Sequence, residues 1–428
     1  MEITILCDVV DNFGDIGFVY RLSRNICQLR PEAKLNLVVS NLFSFSKIEP
    51  KINPSLAVQS FAKFKIFDWN NAAVCKDEFC ANPPEIIIQC FQCKRPLWLE
   101  EILFAKENKS FFYIINLEYL TAETWTDDFH LLKSATRSPF VKKVNFFPGF
   151  TCKTGGLVLD ESFMTFANER FSALKTKNCG FAKNKNHLAF DYLKDFVPQS
   201  DLKHFFDADT FCVSFFTYQR NCDAEMKALF DFENFMKIKN PHFKIHIFVS
   251  PGLSKECAEL SAKKFSLDFS ELKYLPQQSW DAFLSLCDFN FVRGEDSFSR
   301  ACLLGIPFVW NAYVQEDEFQ LVKAEAFLKS LEPFFDKEIF ADLKKYFLNF
   351  NLSENAEISN TAIFKSEELC EVRDYVFNNK SDFLSQSELL FELLKNYSEL
   401  EKFYFEFAKN LISNGNLTEK LLKLISSL

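Results

Sequence analysis

Apolar residues fall in short runs separated by polar, turn-forming stretches, and the runs alternate between strand-like and helix-like spacing. Residues 2–9 predict a strand, 10–17 a loop, and the spacing of apolar positions over 18–29 a helix. Strand, turn and helix in that order are the repeating unit of a parallel sheet. Further strands are predicted at 35–39, 85–89 and 111–116, so residues 1–165 read as a first alternating domain that ends in the turn-rich stretch 147–156 (FPGFTCKTGG). A polar, Lys- and Asn-rich connection at 174–187 and a helix to Phe196 lead into a second series. It runs strand 210–216, helix 223–237, strand 243–250, helix 254–265, a short strand ending near Leu275, helix 279–287, strand 289–293 and a helix opening at Ser297. Residues 166–390 make this second domain, and 391–428 are amphipathic helices that could pack back on the first. The fold class expected is α/β, with two Rossmann-like domains facing across a cleft and C-terminal helices closing it. Ligands of such sheets bind beyond the carboxyl ends of the strands.

Composition agrees with that picture and removes several function classes. A chain of 428 residues suits two domains, and 48% hydrophobic with 25% charged residues is a globular balance. No apolar run approaches the ~18 residues of a membrane span. The N-terminus carries Glu2, and Asp8 and Asp11 interrupt its apolar run, so no secretory signal is expected and the cytoplasm is the expected location. Fourteen scattered cysteines then read as reduced thiols. Cys75, Cys80, Cys90 and Cys93 include a CxxC and could hold zinc, but their spacing fits no standard knuckle, and idle thiols are the better reading. The five histidines form no HExxH, so metal hydrolysis has no support; no metal site and no cofactor are expected. A net charge of −9 argues against nucleic acid and favours a cationic substrate. Fifty-four phenylalanines exceed what any site could use and carry no weight singly.

Three groups could carry chemistry. In residues 9–17 (VVDNFGDIG), Gly14 and Gly17 permit a tight turn and close approach to a ligand, Asn12 and Phe13 share the loop, and Asp11 and Asp15 bring two carboxylates to one strand end. The alternative is structural: Asp15 caps the helix and Asp11 steadies the turn. A nicotinamide site fits less well, because the glycines form only GxxG and Ser40-Asn41 stands where a ribose-binding acid is wanted.

In residues 291–310, a strand ends at Arg293, Gly294 turns, and Asp296 or Ser297 can cap a helix whose free N–H groups suit a diphosphate. Arg293 adds a bidentate cation, and Glu295 can accept from sugar hydroxyls or simply pair with Arg293. The third group is aromatic. Phe216, Tyr218, Tyr274 and Trp280, with the amide of Gln277, could stack and hydrogen-bond a pyrimidine, although core packing explains any one ring alone.

Together these segments resemble the EarP family, the protein-arginine rhamnosyltransferases of elongation factor P. The resemblance rests on residues 9–17, 116–125 (NLEYLTAETW), 146–157 (FFPGFTCKTGGL), 275–281 (LPQQSWD), 287–301 (CDFNFVRGEDSFSRA) and 307–317 (PFVWNAYVQED). It implies a GT-B type fold and inverting, metal-independent transfer of rhamnose from dTDP-β-L-rhamnose to an arginine of elongation factor P. Asp15 would then be the general base with Asp11 as its partner. Arg293, Glu295, Asp296 and Ser297 would hold the donor's sugar and diphosphate, with Glu295 counted among the catalytic residues. Asn12, Phe13, Gly14 and Gly17 would line the donor side, Phe216, Tyr218, Tyr274, Gln277, Trp280 and Tyr313 the nucleotide pocket, and Asn116, Leu117, Glu118 and Tyr119 the acceptor side. The chain departs from the family at Ser40-Asn41, where acids are usual, and at Gln320, near which a histidine is common. Two other readings stay open: transfer from another nucleotide sugar or to another acceptor, and a binding protein that has lost turnover.

Overall fold

The computed structural model describes residues 2–10, 13–61, 63–107, 109–175, 187–353 and 367–428. Asp11, Asn12 and most of the 174–187 connection lie outside them. The chain divides into two compact units, one of residues 1–161 with 411–428 and one of 162–410.

The first unit is built on eight strands: β1 (Glu2–Cys7), β2 (Lys34–Val39), β3 (Val58–Phe61), β4 (Phe64–Asp68), β5 (Ile86–Cys90), β6 (Phe112–Leu117), β7 (Lys133–Ser134) and β8 (Val141–Phe146). Their order across the sheet is β3-β4-β2-β1-β5-β6-β8-β7. The six inner strands are parallel, and β3 and β7 pair antiparallel at the edges. Strand alternation sorts side chains into two apolar layers: Ile3, Ile5 and Cys7 face one way, Leu6 with Val38, Ile87 and Ile114 the other. Burial on both faces explains why β1, β5 and β6 read as nearly unbroken apolar runs, whereas β4 (FKIFD) and β8 (VKKVNF) carry lysines at partly exposed positions.

The last helix, Leu417–Ile425, belongs to this unit. It buries Leu417, Leu421, Leu422 and Ile425 in the same layer as Val19, Leu22 and Ile26 of the helix Gly14–Leu29. Asn25 donates to Thr418 Oγ1 at 3.1 Å, and the backbone N–H of Leu417 to Leu157 O at 2.9 Å. The wholly buried guanidinium of Arg21 on that first helix pairs with Asp160 at 3.2 Å. Removing either partner of a buried pair leaves a stranded charge, so this contact fixes the helix against the end of the unit.

The second unit holds five parallel strands, β9 (Thr210–Phe215), β10 (Lys244–Val249), β11 (Asp268–Glu271), β12 (Phe289–Arg293) and β13 (Phe308–Asn311), in the order β11-β10-β9-β12-β13. Helices Phe383–Lys395 and Tyr397–Ser413 begin here rather than forming a separate tail with Leu417–Ile425. Tyr397 Oη donates to Asp288 O at 2.7 Å and Tyr404 Oη to Phe308 O at 2.9 Å, so both tyrosines bury their rings against the sheet while satisfying their hydroxyls.

Both units are thus α/β and Rossmann-like. In each, the strand order reverses beside the first strand, between β1 and β5 and between β9 and β12, and that switch point opens the crevice ligands use. Among the described residues, no helix is long and apolar enough to cross a membrane.

Candidate functional site

In the first unit the chemistry gathers behind β1, β5 and β6. The first helix opens at Gly14, four residues earlier than its apolar spacing suggests, with Phe13 at the N-cap position. Asp15 therefore lies in the first helical turn, where an acid is favoured by the helix dipole, and it is not the cap. Its Oδ2 accepts the backbone N–H of Val10 at 2.8 Å, which ties Val10 to the helix start. Asp15 is buried, and its charge adds to the burial that pushes the Cys7 and Cys90 thiols up, which places it by the ends of β1 and β5. Gly17 lies two residues further along the helix, its N–H donating to Phe13 O at 3.0 Å.

Behind β6 stand Glu118 and Tyr119. Glu118 is 6% exposed. Gln92 Nε2 donates to its Oε2 at 2.8 Å, and Asn116 Nδ2 donates to Oε1. Burial raises its pKa above the ordinary carboxylate value, against these two amides and the charge of Lys143. Tyr119 stacks on Phe91, ring centroids 4.6 Å apart. Phe91 and Gln92 carry φ of 58° and 52°. Sequence reasoning missed both, since two consecutive non-glycine residues in the left-handed region leave no mark in composition or spacing.

The remaining candidates of this unit are structural. Ser40 Oγ accepts from Val9 N–H at 2.8 Å, and Asn41 caps the helix Leu42–Ile48 through Ser44 N–H at 3.0 Å. Neither is placed for a ribose. Cys75 and Cys93 pack in one apolar layer, Cys90 in the other, and Cys80 is exposed, so the four cysteines form no metal cage. Among the described residues, one group of metal-type donors lies within 4.8 Å, His204, His246 and Asp268 in the second unit. There the two rings stack nearly parallel at 3.8 Å, with His246 Nδ1 against Asp268 at 2.9 Å and Nε2 against Ser270 Oγ at 2.9 Å. Parallel rings point their lone pairs in parallel planes, which suits packing better than a shared ion.

The second unit gathers its candidates behind β9 and β12. The turn after Arg293 is made by Gly294 at φ 68°, and the helix Glu295–Leu304 starts at once. Gly294 is the N-cap, so Asp296 and Ser297 are not capping residues: they sit inside the first turn with side chains turned to other partners. Gln277 Nε2 donates to Asp296 Oδ2 at 3.1 Å, and Trp280 Nε1 to Ser297 Oγ at 3.0 Å. These two bonds tie the helix Gln277–Leu286 to the opening of the next one. Gly294 puts no capping side chain over the start of Glu295–Leu304, and the positive end of the helix dipole lies there.

Arg293 lies over two rings, 4.6 Å from the centroid of Phe216 and 4.6 Å from that of Tyr218. Phe216 meets Trp280 edge-on at 5.2 Å, and Tyr218 meets Tyr313 at 5.5 Å. Asn311 Oδ1 accepts from Tyr218 N–H at 2.9 Å and fixes the loop. Tyr274 and Tyr313 are about half exposed. A guanidinium braced by aromatic faces, at a helix N-terminus, suits a nucleotide diphosphate. Gln320 is wholly buried and ties the loop before it to the Asn351 carbonyl at 3.2 Å, a structural task.

Residues 3–426 match the family model described as "Elongation-Factor P (EF-P) rhamnosyltransferase EarP". A protein-arginine rhamnosyltransferase of Shewanella oneidensis is 33% identical, the alignment covering 76% of this chain and 79% of that one. One from Pseudomonas putida is 30% identical over 76% of this chain and 80% of its own. A solved structure of EarP, concerned with arginine glycosylation of translation elongation factor EF-P, superposes with a TM-score of 0.55 at 17% identity, covering 100% of this chain and 99% of that one, and shows the shared fold. The chain belongs to the EarP family of elongation-factor P rhamnosyltransferases and is a glycosyltransferase.

Proposed function

We propose that this chain transfers rhamnose from dTDP-β-L-rhamnose, with inversion and without a metal ion, to one arginine side chain of translation elongation factor P in the cytoplasm. The observation that supports it most is the opposite chemistry of the two strand-end clusters, Asp15 and Glu118 in one unit and Arg293 at a helix start in the other. An anionic crevice fits a guanidinium, and a cationic one fits a nucleotide diphosphate.

A guanidinium has a pKa above ~12 and a carboxylate one near ~4, so complete proton transfer before attack would cost on the order of 11 kcal/mol. Asp15 therefore takes the proton only as the new bond forms. The arginine nitrogen attacks the anomeric carbon, the C–O bond to the diphosphate breaks, and its electron pair leaves on the phosphate oxygen. Arg293 and the N-terminus of Glu295–Leu304 stabilise that developing charge, Glu295 holds sugar hydroxyls, and Phe216, Tyr218, Gln277, Trp280 and Tyr313 hold the thymidine portion.

Incubating the protein with elongation factor P and dTDP-β-L-rhamnose should add the mass of one deoxyhexose, lost when the acceptor arginine is changed to lysine. The sugar linkage read by NMR should be inverted, and chelator should not slow the reaction. A mass gain seen only with a different nucleotide sugar, or none with any, would overturn the assignment.

A further inference from the structure

Gln89 ends the run of buried residues along β5 with Cys90, and the chain then turns through two left-handed residues, Phe91 and Gln92. L residues avoid this conformation because Cβ crowds the backbone carbonyl, and glycine would adopt it freely. Such strain collects where a side chain must be aimed. Here it aims two. The Phe91 N–H is held to Leu117 O at 2.7 Å, so the turn is pinned to the end of β6. Phe91 is buried, its ring stacked on Tyr119 at 4.6 Å and edge-on to Phe18 at 5.6 Å. Phe18 lies three positions beyond Asp15 on the same helix, so one ring joins the helix that bears Asp15 to the strand end that bears Glu118.

Gln92 turns the other way and donates to Glu118 Oε2 at 2.8 Å, while Asn116 holds Oε1. Both carboxylate oxygens are thus fixed by neutral amides, and each keeps a further lone pair. No cation among the described residues forms an ion pair with this buried acid. The charge of Lys143 offsets part of the burial without forming an ion pair, so the carboxylate stays costly until a closer cation arrives, and the planar fork of a guanidinium matches two fixed oxygens.

We infer that Gln92, held by the left-handed Phe91–Gln92 turn, is a positioning residue for the acceptor arginine: it locks the plane of the Glu118 carboxylate, while Phe91 props Tyr119. The inference rests on the reading above that Glu118 receives that arginine. Gln92 is exposed, so it can be changed without opening the core.

The test is steady-state kinetics of the full chain with elongation factor P and dTDP-β-L-rhamnose varied in turn, on Gln92→Ala and Gln92→Gly. Both variants should raise KM for elongation factor P about 10-fold, the weight of one hydrogen bond to a charged group, and leave KM for the donor unchanged. Gln92→Gly should melt above Gln92→Ala, because glycine relieves the turn, which separates the kinetic loss from lost stability. In both, the acid limb of the acceptor pH profile should move to higher pH, because the amide that favours the ionised carboxylate is gone. An unchanged acceptor KM with an unmoved acid limb would overturn the positioning role while wild-type transfer persists. Wild-type protein that adds no sugar to elongation factor P would overturn the underlying reading, and this inference with it.

Discussion

At the switch point of the eight-stranded sheet the strand ends carry buried acids, whereas at that of the five-stranded sheet they carry Arg293 braced on two rings and a helix N-terminus without a side-chain cap. The backbone plan is the same in both places: a parallel sheet reverses its strand order, and loops at the carboxyl ends become free for function. Different side chains on that plan give opposite charge preference. They are also held differently. The acids are fixed by neutral donors, Val10 N–H, Gln92 and Asn116, and the cation by aromatic faces.

That contrast breaks most sharply at Asp15. Asp15→Asn keeps an oxygen for Val10 N–H and removes the proton acceptor, so turnover should fall at least ~100-fold while the donor's dissociation constant stays nearly unchanged. Rapid-quench turnover with calorimetric donor binding would measure both, and undiminished turnover would refute the role of base. Arg293→Ala should do the reverse. It should weaken dTDP binding by about 10- to 100-fold, as loss of a charge-assisted contact does, with acceptor binding untouched. An unaltered dTDP dissociation constant in calorimetry would reject the diphosphate cradle.

How much of this was legible in the sequence follows the same division. The second unit reads well: β12 and the helix Asp223–Lys237 fall where the apolar spacing and turn residues put them, and Arg293-Gly294 announces a strand end and a turn. The first unit reads less well. β3 and β7 are short edge strands of mixed polarity, and the inner strands β4 and β8 are interrupted by lysines, so none of the four carries a pattern strong enough to recognise. The start of the helix at Gly14 was hidden because glycine and aspartate count against helix on propensity, although an acid in the first turn is electrostatically favoured. The Phe91–Gln92 turn could not be read at all, because its φ values are imposed by β6 and Tyr119, residues remote in the chain.

A gentler test of the acidic side uses pH. Burial raises the pKa of Glu118, and its anion is the form that would hold a guanidinium. As pH falls through that elevated value the anion is lost, so kcat/KM for elongation factor P should drop about tenfold per pH unit in the acid limb. The limb should vanish in Glu118→Gln, at a uniformly lower rate. A limb that persists in that variant would assign the titration elsewhere.

The smallest effect concerns stability, where the two units behave alike. His130 in the first unit has its pKa lowered to about 4, chiefly by burial, and its Nδ1 accepts the N–H of Phe147 at 3.0 Å, which only a neutral ring can do. His204 in the second is likewise lowered to about 4, by burial and by the stacked ring of His246. A histidine whose folded pKa lies below its unfolded value near ~6.5 contributes its full stability above that value and loses it as pH falls toward 4. The melting temperature should therefore decline between pH 6.5 and about 4. His204→Phe keeps an aromatic stack without a titrating nitrogen, and should reduce that decline by roughly 2–4 °C. Scanning calorimetry of the variant across this range decides the point, and a decline as steep as that of the unaltered chain would place the acid sensitivity in other groups.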